Sequence, residues 1–514
     1  MSPADTGRRP IYSVGARRPY LLWPPPKRWS RRDVLIVALL TSLVAIAHGG
    51  IHAETDPFWQ ARAGLENLEG APLARRDTWS WAPVPVLFQQ NSPGWNSLLG
   101  GAVRVLGIYD WGIPGLFALT ILSIAALYAV IVVAAWLVGA RPMPTLVALG
   151  VFSVLGWSTL SARATVPALT LFLSGAVMGY GLSAPRWQIS PWVRIGSATS
   201  IGLILGVLGI WVHTSWLLLG PVLAIVWAVL WWSSPTLSTP LSVATIAMTG
   251  GALFLAPWLG PYGTEIWAYT RRTQEAAAGL SIEWMGLLEV PSQWHWWAML
   301  AICLSTSAAG LAAWRSSRVA LLLPLAALSG VIALGSLAAA RFLAIALALA
   351  VPVGSALLTR IMSADDQARR PAVYFSDPVQ RIVWLVVLLL LTPVALVAAS
   401  PLGRPPGADA VADLPLDCRL FTDPAISNVG LLLRPDLTHY WDGRMDYYGR
   451  DRLLQGINFL HLEGPTPAPN GATCVVIRDQ RESASANAYR DAMDAEPGWR
   501  RAESADGFLM WVAG

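Results

Sequence analysis

Blocks of apolar residues, each roughly 18 to 25 residues long, recur between residues 33 and 400. A helix of that length spans the hydrocarbon core of a bilayer, which is about 30 Å thick. The blocks fall near 33–51, 112–138, 143–161, 165–184, 195–212, 214–232, 240–259, 296–314, 319–339, 341–359 and 382–400. The run 195–232 is too long for one span, and we divide it at His213. Charged residues make up only 13% of the chain, whereas soluble domains carry about 25%. The expected fold is therefore an α-helical polytopic membrane protein with about eleven transmembrane helices. Indoles fit this reading: Trp157, Trp211, Trp231, Trp232, Trp296, Trp297 and Trp314 stand near block ends, where an amphipathic ring prefers to sit.

The polar residues orient the spans. Residues 1–33 form a basic tail ending in Lys27, Arg28, Arg31 and Arg32, which is expected to stay cytoplasmic. Ala45-Ile46-Ala47 resembles a signal-cleavage site, but the long tail and the many later spans favour an uncleaved first helix. Loops after even-numbered spans hold Arg141, Arg186, Arg194, Arg315, Arg318, Arg360, Arg369, Arg370 and Arg381, which places them inside as well. Residues 52–111 mix acids, arginines and tryptophans and read as a long outer loop with amphipathic pieces at the membrane surface. The transmembrane domain spans 34–400, and residues 401–514 return to soluble composition. In that last segment Cys418–Asp423, His439–Asp442, Cys474–Arg478 and Gly507–Ala513 read as strands, with helices near 450–459 and 484–495. A small, Rossmann-like α/β domain is expected there, on the extracytoplasmic side. In an oxidising space Cys418 and Cys474 are expected to form a disulfide. The net charge of +5 is scattered over helix ends and the tail, so no nucleic-acid partner is expected.

The same topology brings polar residues to the outer ends of the spans: Glu54 and Asp56, Arg163, His213, Pro261-Tyr262-Gly263, Glu283 and Arg341. The block interiors hold almost no ionisable group, which argues against an ion-coupled transporter. Arg163 and Arg341 suit a lipid phosphate at headgroup depth through bidentate, charge-assisted bonds, and His213 adds a donor. Asp56 or Glu54 would serve as the carboxylate that takes a proton from an acceptor hydroxyl. Each has a plainer reading: the arginines snorkel to headgroups, His213 caps a helix, and Asp56 before Pro57 is an N-cap. Asp77, before Thr78-Trp79-Ser80, reads better as a turn residue. Asp442, Arg444 and Asp446 read as an Asp-Gly turn followed by a structural Arg–Asp pair. No HExxH or similar cluster is present.

The run Glu54-Thr55-Asp56-Pro57-Phe58-Trp59, followed by Gly64, Pro72, Asp77 and Ser80, resembles the first outer loop of GT-C-type glycosyltransferases. These are multi-spanning relatives of protein O-mannosyltransferases that use polyprenyl-phosphate sugars. Arg163, Trp211-Val212-His213-Thr214-Ser215, Pro261-Tyr262-Gly263, Ile282-Glu283-Trp284 and Arg341-Phe342 follow in the same order. The run Trp441-Asp442-Gly443-Arg444-Met445-Asp446-Tyr447-Tyr448-Gly449 resembles a segment of one branch of that superfamily. Two departures stand out. Gln60 occupies a place where histidine is expected, and Pro93-Gly94-Trp95-Asn96-Ser97-Leu98 lacks an expected acid.

The resemblance implies an inverting transfer of a sugar from a polyprenyl-phosphate donor to an envelope glycan, lipid or protein acceptor at the outer face of the plasma membrane. Asp56 is the implied base with Glu54 assisting. Arg341, Arg163 and His213 hold the donor phosphate, while Glu283, Trp284, Tyr262, Asp77 and Trp59 border the cavity on the acceptor side. Membrane lipids are the other partners. No cofactor is required, because arginine can neutralise the leaving phosphate, and a divalent cation is left open. The rival readings are a ligase or polymerase of lipid-linked glycans and a non-catalytic scaffold of envelope biogenesis.

Overall fold

The computed structural model describes residues 29–49, 55–110, 112–157, 160–161, 163–184, 190–234, 237–277, 280, 284–368, 407–479, 483–502 and 507–514, with isolated positions between 387 and 405. Glu54, Glu283 and nearly all of the expected last span at 382–400 lie outside these residues.

Proline marks where many helices begin. It occupies one of the first two positions in α2 (Asp56–Leu68), α3 (Pro93–Leu106), α4 (Pro114–Leu137), α5 (Pro142–Leu155), α7 (Pro191–Val212) and α9 (Thr239–Leu255). Its missing N–H has no intrahelical partner in the first turn, and its fixed φ suits a helix start. Among the described residues, six helical segments are long and apolar enough to cross a membrane. They are α4, α6 (Thr165–Ser183), α7, Thr239–Leu259, α11 (Trp294–Ser317) and the Phe342–Met362 part of α13 (Phe342–Ala368). Shorter apolar helices pack beside them: α5 on α13, α8 (Trp216–Trp232) on α9, and α12 (Leu322–Gly335) between α11 and α13. The preceding helix α1 (Arg31–Gly49), whose first turn carries Arg31, Arg32 and Asp33, packs on α4. The long run around 195–232 breaks at His213–Ser215, where His213 N–H closes α7 on Gly209 and Thr214 N–H turns to the carbonyl of Asn91.

Within residues 55–110 the amphipathic pieces are the helices α2 and α3. Helices α2 and α3 cross at backbone contact, because Gly64 faces Asn96 and Gly100 faces Gly64. A Cβ at Gly64 would stand 1.8 Å from the Asn96 carbonyl oxygen. Phe58, Trp59, Trp95 and Leu99 are buried. Helix α3 leans on α4 and α7, and the C-terminal domain covers α2.

The C-terminal domain holds α14 (Ala408–Ala412), β3 (Arg419–Thr422), α15 (Pro424–Leu433), β4 (Thr438–His439), α16 (Met445–Leu460), β5 (Cys474–Arg478), α17 (Ala484–Ala495), β6 (Trp499–Ala502) and β7 (Phe508–Ala513). Strands β1 (Ala74–Arg75) and β2 (Phe88–Gln89) form a separate pair in the first loop. The main sheet runs β4-β3-β5-β7-β6, with β3 parallel to β4 and β5, and β7 antiparallel to β5 and β6. The strand expected at His439–Asp442 ends early. Beyond Tyr440 the chain turns out of the sheet, Trp441 Nε1 donates to the Thr422 carbonyl, and Asp442 binds Arg444. A disulfide joins Cys418, just before β3, to Cys474 at the start of the adjacent β5, with Cα atoms 6.0 Å apart.

Candidate active site

Asp56 is the first residue of α2, and Thr55, not Asp56, is the residue that precedes the helix. The N-cap reading of Asp56 is therefore corrected: the N-cap position is Thr55, and Asp56 and Pro57 are the first two helical residues. Trp59 Nε1, one turn on, donates to Asp56 Oδ1 at 3.2 Å, and Arg163 Nη2 approaches Oδ2 at 3.5 Å. Trp59 itself is only 2% exposed, so it forms the wall behind the carboxylate.

Arg163 precedes α6, His213 lies in the α7–α8 break, and Arg341 immediately precedes α13. They converge electrostatically. Burial, and then the charges of Arg341 and Arg163, lower the His213 pKa from 6.5 to about 3. His213 Nδ1 accepts the Ser215 N–H at 3.0 Å, so the proton of the neutral ring resides on Nε2. The guanidinium of Arg341 stacks over Trp284 at 4.2 Å. Its neighbour Ala340 donates to the Met285 carbonyl, which pins the loop carrying Trp284 against the start of α13. One end of the bundle thus gathers a carboxylate, two guanidinium groups and a neutral imidazole donor from four separate segments.

Other expected cavity residues are placed differently. Tyr262 accepts the Gln90 N–H at 2.7 Å and is stacked on Tyr269 of α10 (Ile266–Ala277), so its hydroxyl fastens the first loop. Asp77 is buried, with its carboxylate 2.8 Å from Arg444 Nη1. Its carboxylate is thus taken up by an ion pair between the first loop and the C-terminal domain.

The neighbourhood of Arg444 is one that sequence spacing alone does not reveal. Its side chain is fully buried, bonded to Asp442 at 2.6 Å and to Asp77 across 367 residues of sequence. The rings of Trp79, Phe88, Tyr447 and Tyr448 lie 4.3, 4.6, 5.0 and 5.4 Å from the guanidinium carbon. Burial opposes the charge, but Asp442, Tyr448 and Asp77 outweigh it and raise the Arg444 pKa well above its ordinary value. The Arg–Asp pair expected after the Asp-Gly turn is thus corrected: Arg444 binds Asp442 of the turn itself and Asp77 of the first loop, while Asp446 bonds to Tyr269.

A cavity of about 630 Å³ opens between the first loop, α10 and α16. Its walls include Leu87, Gln89, Tyr269, Arg272, Asp446 and Tyr447. The Tyr269 hydroxyl donates to Asp446, and burial raises the pKa of that carboxyl, with the charge of Asp56 adding to the effect. Asp446, on the cavity wall, is thus close enough to Asp56 to feel its charge. Among the described residues no group of three or more His, Cys, Asp or Glu side chains is placed to hold a metal ion.

No family model and no curated protein matches the sequence. Solved structures do match in three dimensions. ArnT from Cupriavidus metallidurans bound to undecaprenyl phosphate aligns at TM-score 0.50 and 14% identity, over 93% of this chain and 97% of that one. The apo state of the same protein gives the same values. The archaeal oligosaccharyltransferase AglB from Archaeoglobus fulgidus, in complex with an inhibitory peptide and a dolichol-phosphate, aligns at TM-score 0.49 and 11% identity, over 94% of this chain and 74% of that one. Across most of the chain the fold is similar to that of ArnT. At such identities the likeness speaks for architecture, and chemistry must be argued from the site.

Proposed function

We propose that this protein is a membrane glycosyltransferase that moves a sugar from a polyprenyl-phosphate donor to an acceptor hydroxyl at the extracytoplasmic face. The observation that carries this reading is the chain of neighbours Asp56, Arg163, His213 and Arg341 at the end of the bundle beneath the C-terminal domain. A donor phosphate bound there meets two guanidinium groups and the Nε2–H of a neutral histidine, while its polyprenyl tail remains in the bilayer. Asp56 takes the acceptor proton as the acceptor oxygen bonds to the anomeric carbon and the carbon–phosphate oxygen bond breaks. The electron pair leaves on polyprenyl phosphate, whose charge Arg163 and Arg341 stabilise. One displacement inverts the anomeric centre. The 630 Å³ cavity beside Asp446 is large enough for an acceptor bigger than one sugar.

Mass spectrometry of lipids copurified with the protein tests the donor class. Polyprenyl phosphate, bare or sugar-loaded, is expected, and a glycan-loaded lipid would point to a ligase or polymerase instead. Asp56→Asn is expected to lower transfer about 10²- to 10⁴-fold with the fold retained. Undiminished transfer by that variant would remove the base assignment.

A further inference from the structure

The C-terminal domain reaches the carboxylate assigned above as the base, and it does so through one side chain and one glycine. Asn428, on α15, is only 2% exposed. Its Oδ1 accepts the Gly443 N–H at 2.7 Å, and its Nδ2 donates to Thr55 Oγ1 at 3.0 Å. Thr55 is the residue before Asp56. Gly443 meets Asp56 directly: a Cβ added there would lie 2.7 Å from Asp56 Oδ1 and 2.6 Å from Asn428 Nδ2. The amide thus grips the backbone on one side of Asp56 and the side chain before it on the other.

We infer that Asn428 and Gly443 are positioning residues that fix the orientation of the Asp56 carboxylate from the C-terminal domain. The inference rests on the proposed role of Asp56 as base. Three features single out these residue types. The amide carries its acceptor and its donor on two separate atoms, one for the Gly443 N–H and one for the Thr55 hydroxyl. Glycine alone leaves room for the carboxylate at 443. Helix α15 is rigidly started, because Asp423 caps Ala425 and Ile426 and Pro424 holds the first position. The charged groups bearing on Asp56 are Arg163, at 3.5 Å, and Asp446 of α16.

The test uses the full chain in lipid nanodiscs with synthetic undecaprenyl-phosphate-linked monosaccharides and water standing in as the acceptor hydroxyl, read as released undecaprenyl phosphate. Gly443→Ala is expected to lower kcat about 10²-fold with donor KM unchanged, the cost of misplacing a reacting group by about 1 Å. Asn428→Asp keeps the acceptor for the Gly443 N–H but loses the donor to Thr55 and is expected to lower kcat several-fold with donor KM unchanged, a split that a general structural defect would not give. Thr55→Val removes only the distant bond of the amide and is expected to lower kcat several-fold, so a folding failure at 428 leaves the inference open to test. Unchanged kcat in Gly443→Ala, together with unchanged kcat in Thr55→Val, overturns it. Asp56→Asn separates the two levels: if it abolishes release, such a result overturns positioning alone, and if it releases lipid at the full rate, base and positioning fall together.

Discussion

The ring of His213 has its Nδ1 lone pair occupied by the Ser215 N–H, and burial holds it neutral down to about pH 3. A histidine in that state donates to a phosphate oxygen without titrating in the working range. It also weakens the fold in acid. His439, buried on β4, behaves alike, with burial lowering it from 6.5 to about 4. In the unfolded chain both rings take up a proton below about pH 6.5, whereas the folded chain stays neutral until its lower values. The unfolded state then binds more protons, so stability falls as pH drops from 6.5, by up to about 1.4 kcal/mol per ring per pH unit. Thermal melting at pH 7 and pH 5 is expected to show the lower midpoint at pH 5, with a smaller drop in His439→Leu. Arg341 makes a second residue-scale case. Its planar group stacks on Trp284 at 4.2 Å, and Arg341→Lys keeps charge but loses the fork geometry and most of the stacking. Binding of undecaprenyl phosphate is expected to weaken about 10-fold, or roughly 1.4 kcal/mol. Arg163, His213 and Arg341 were legible because each is a polar residue at the tip of an apolar block, where hydrocarbon leaves few polar positions to choose among. Asn428 was not, since an asparagine in a polar domain carries no such contrast.

At the scale of elements, the first loop is the part that sequence patterning describes least well. Its amphipathic stretches suggest helices lying on a membrane surface, but not that α2 and α3 cross each other while α3 leans on the bundle and the C-terminal domain covers α2. Two glycines and a buried amide network account for this. Asn67 and Asn96 both donate to Gln90 Oε1, at 3.0 and 2.8 Å, and Gln60 Nε2 reaches Ser92 Oγ at 3.4 Å. Gln60 and Asn96 lie at the two places where the loop departs from the pattern it otherwise resembles, and both belong to this network. Ser92 links the two, accepting from Gln60 Nε2 and donating to Asn96 Oδ1, while Gln60 Oε1 stays buried without a partner. Helix boundaries were more legible than helix partners, because proline and capping are local signals while the α2–α3 crossing depends on close approach of distant backbones. Gly64→Leu would drive a side chain into the Asn96 carbonyl, at a cost of about 1–3 kcal/mol or more. Lowered melting temperature, together with loss of donor turnover through displaced Asp56, is the expected result. Normal melting and turnover would show that the crossing can open at little cost.

For the whole molecule, the question is what holds a soluble sheet domain rigidly over a membrane bundle. Arg444 answers it physically. Its guanidinium joins Asp442 of its own turn to Asp77 of the first loop, inside a cage of four aromatic rings. All three charged side chains are at most 1% exposed. Removing one partner of such a cluster strands the others in a low-dielectric setting, at a cost of about 3–5 kcal/mol. Replacing the whole cluster with apolar groups of similar volume is far milder, because no charge is then left unpaired. Arg444→Met is therefore expected to lower the melting temperature steeply and to open the 401–514 domain to protease while the bundle stays intact. The triple variant Asp77→Leu, Asp442→Leu, Arg444→Met should recover much of that loss if the single defect comes from stranded acids. Should the triple variant melt no higher than Arg444→Met, the orientation of the hydrogen bonds, rather than unpaired charge, would be what fastens the two parts together.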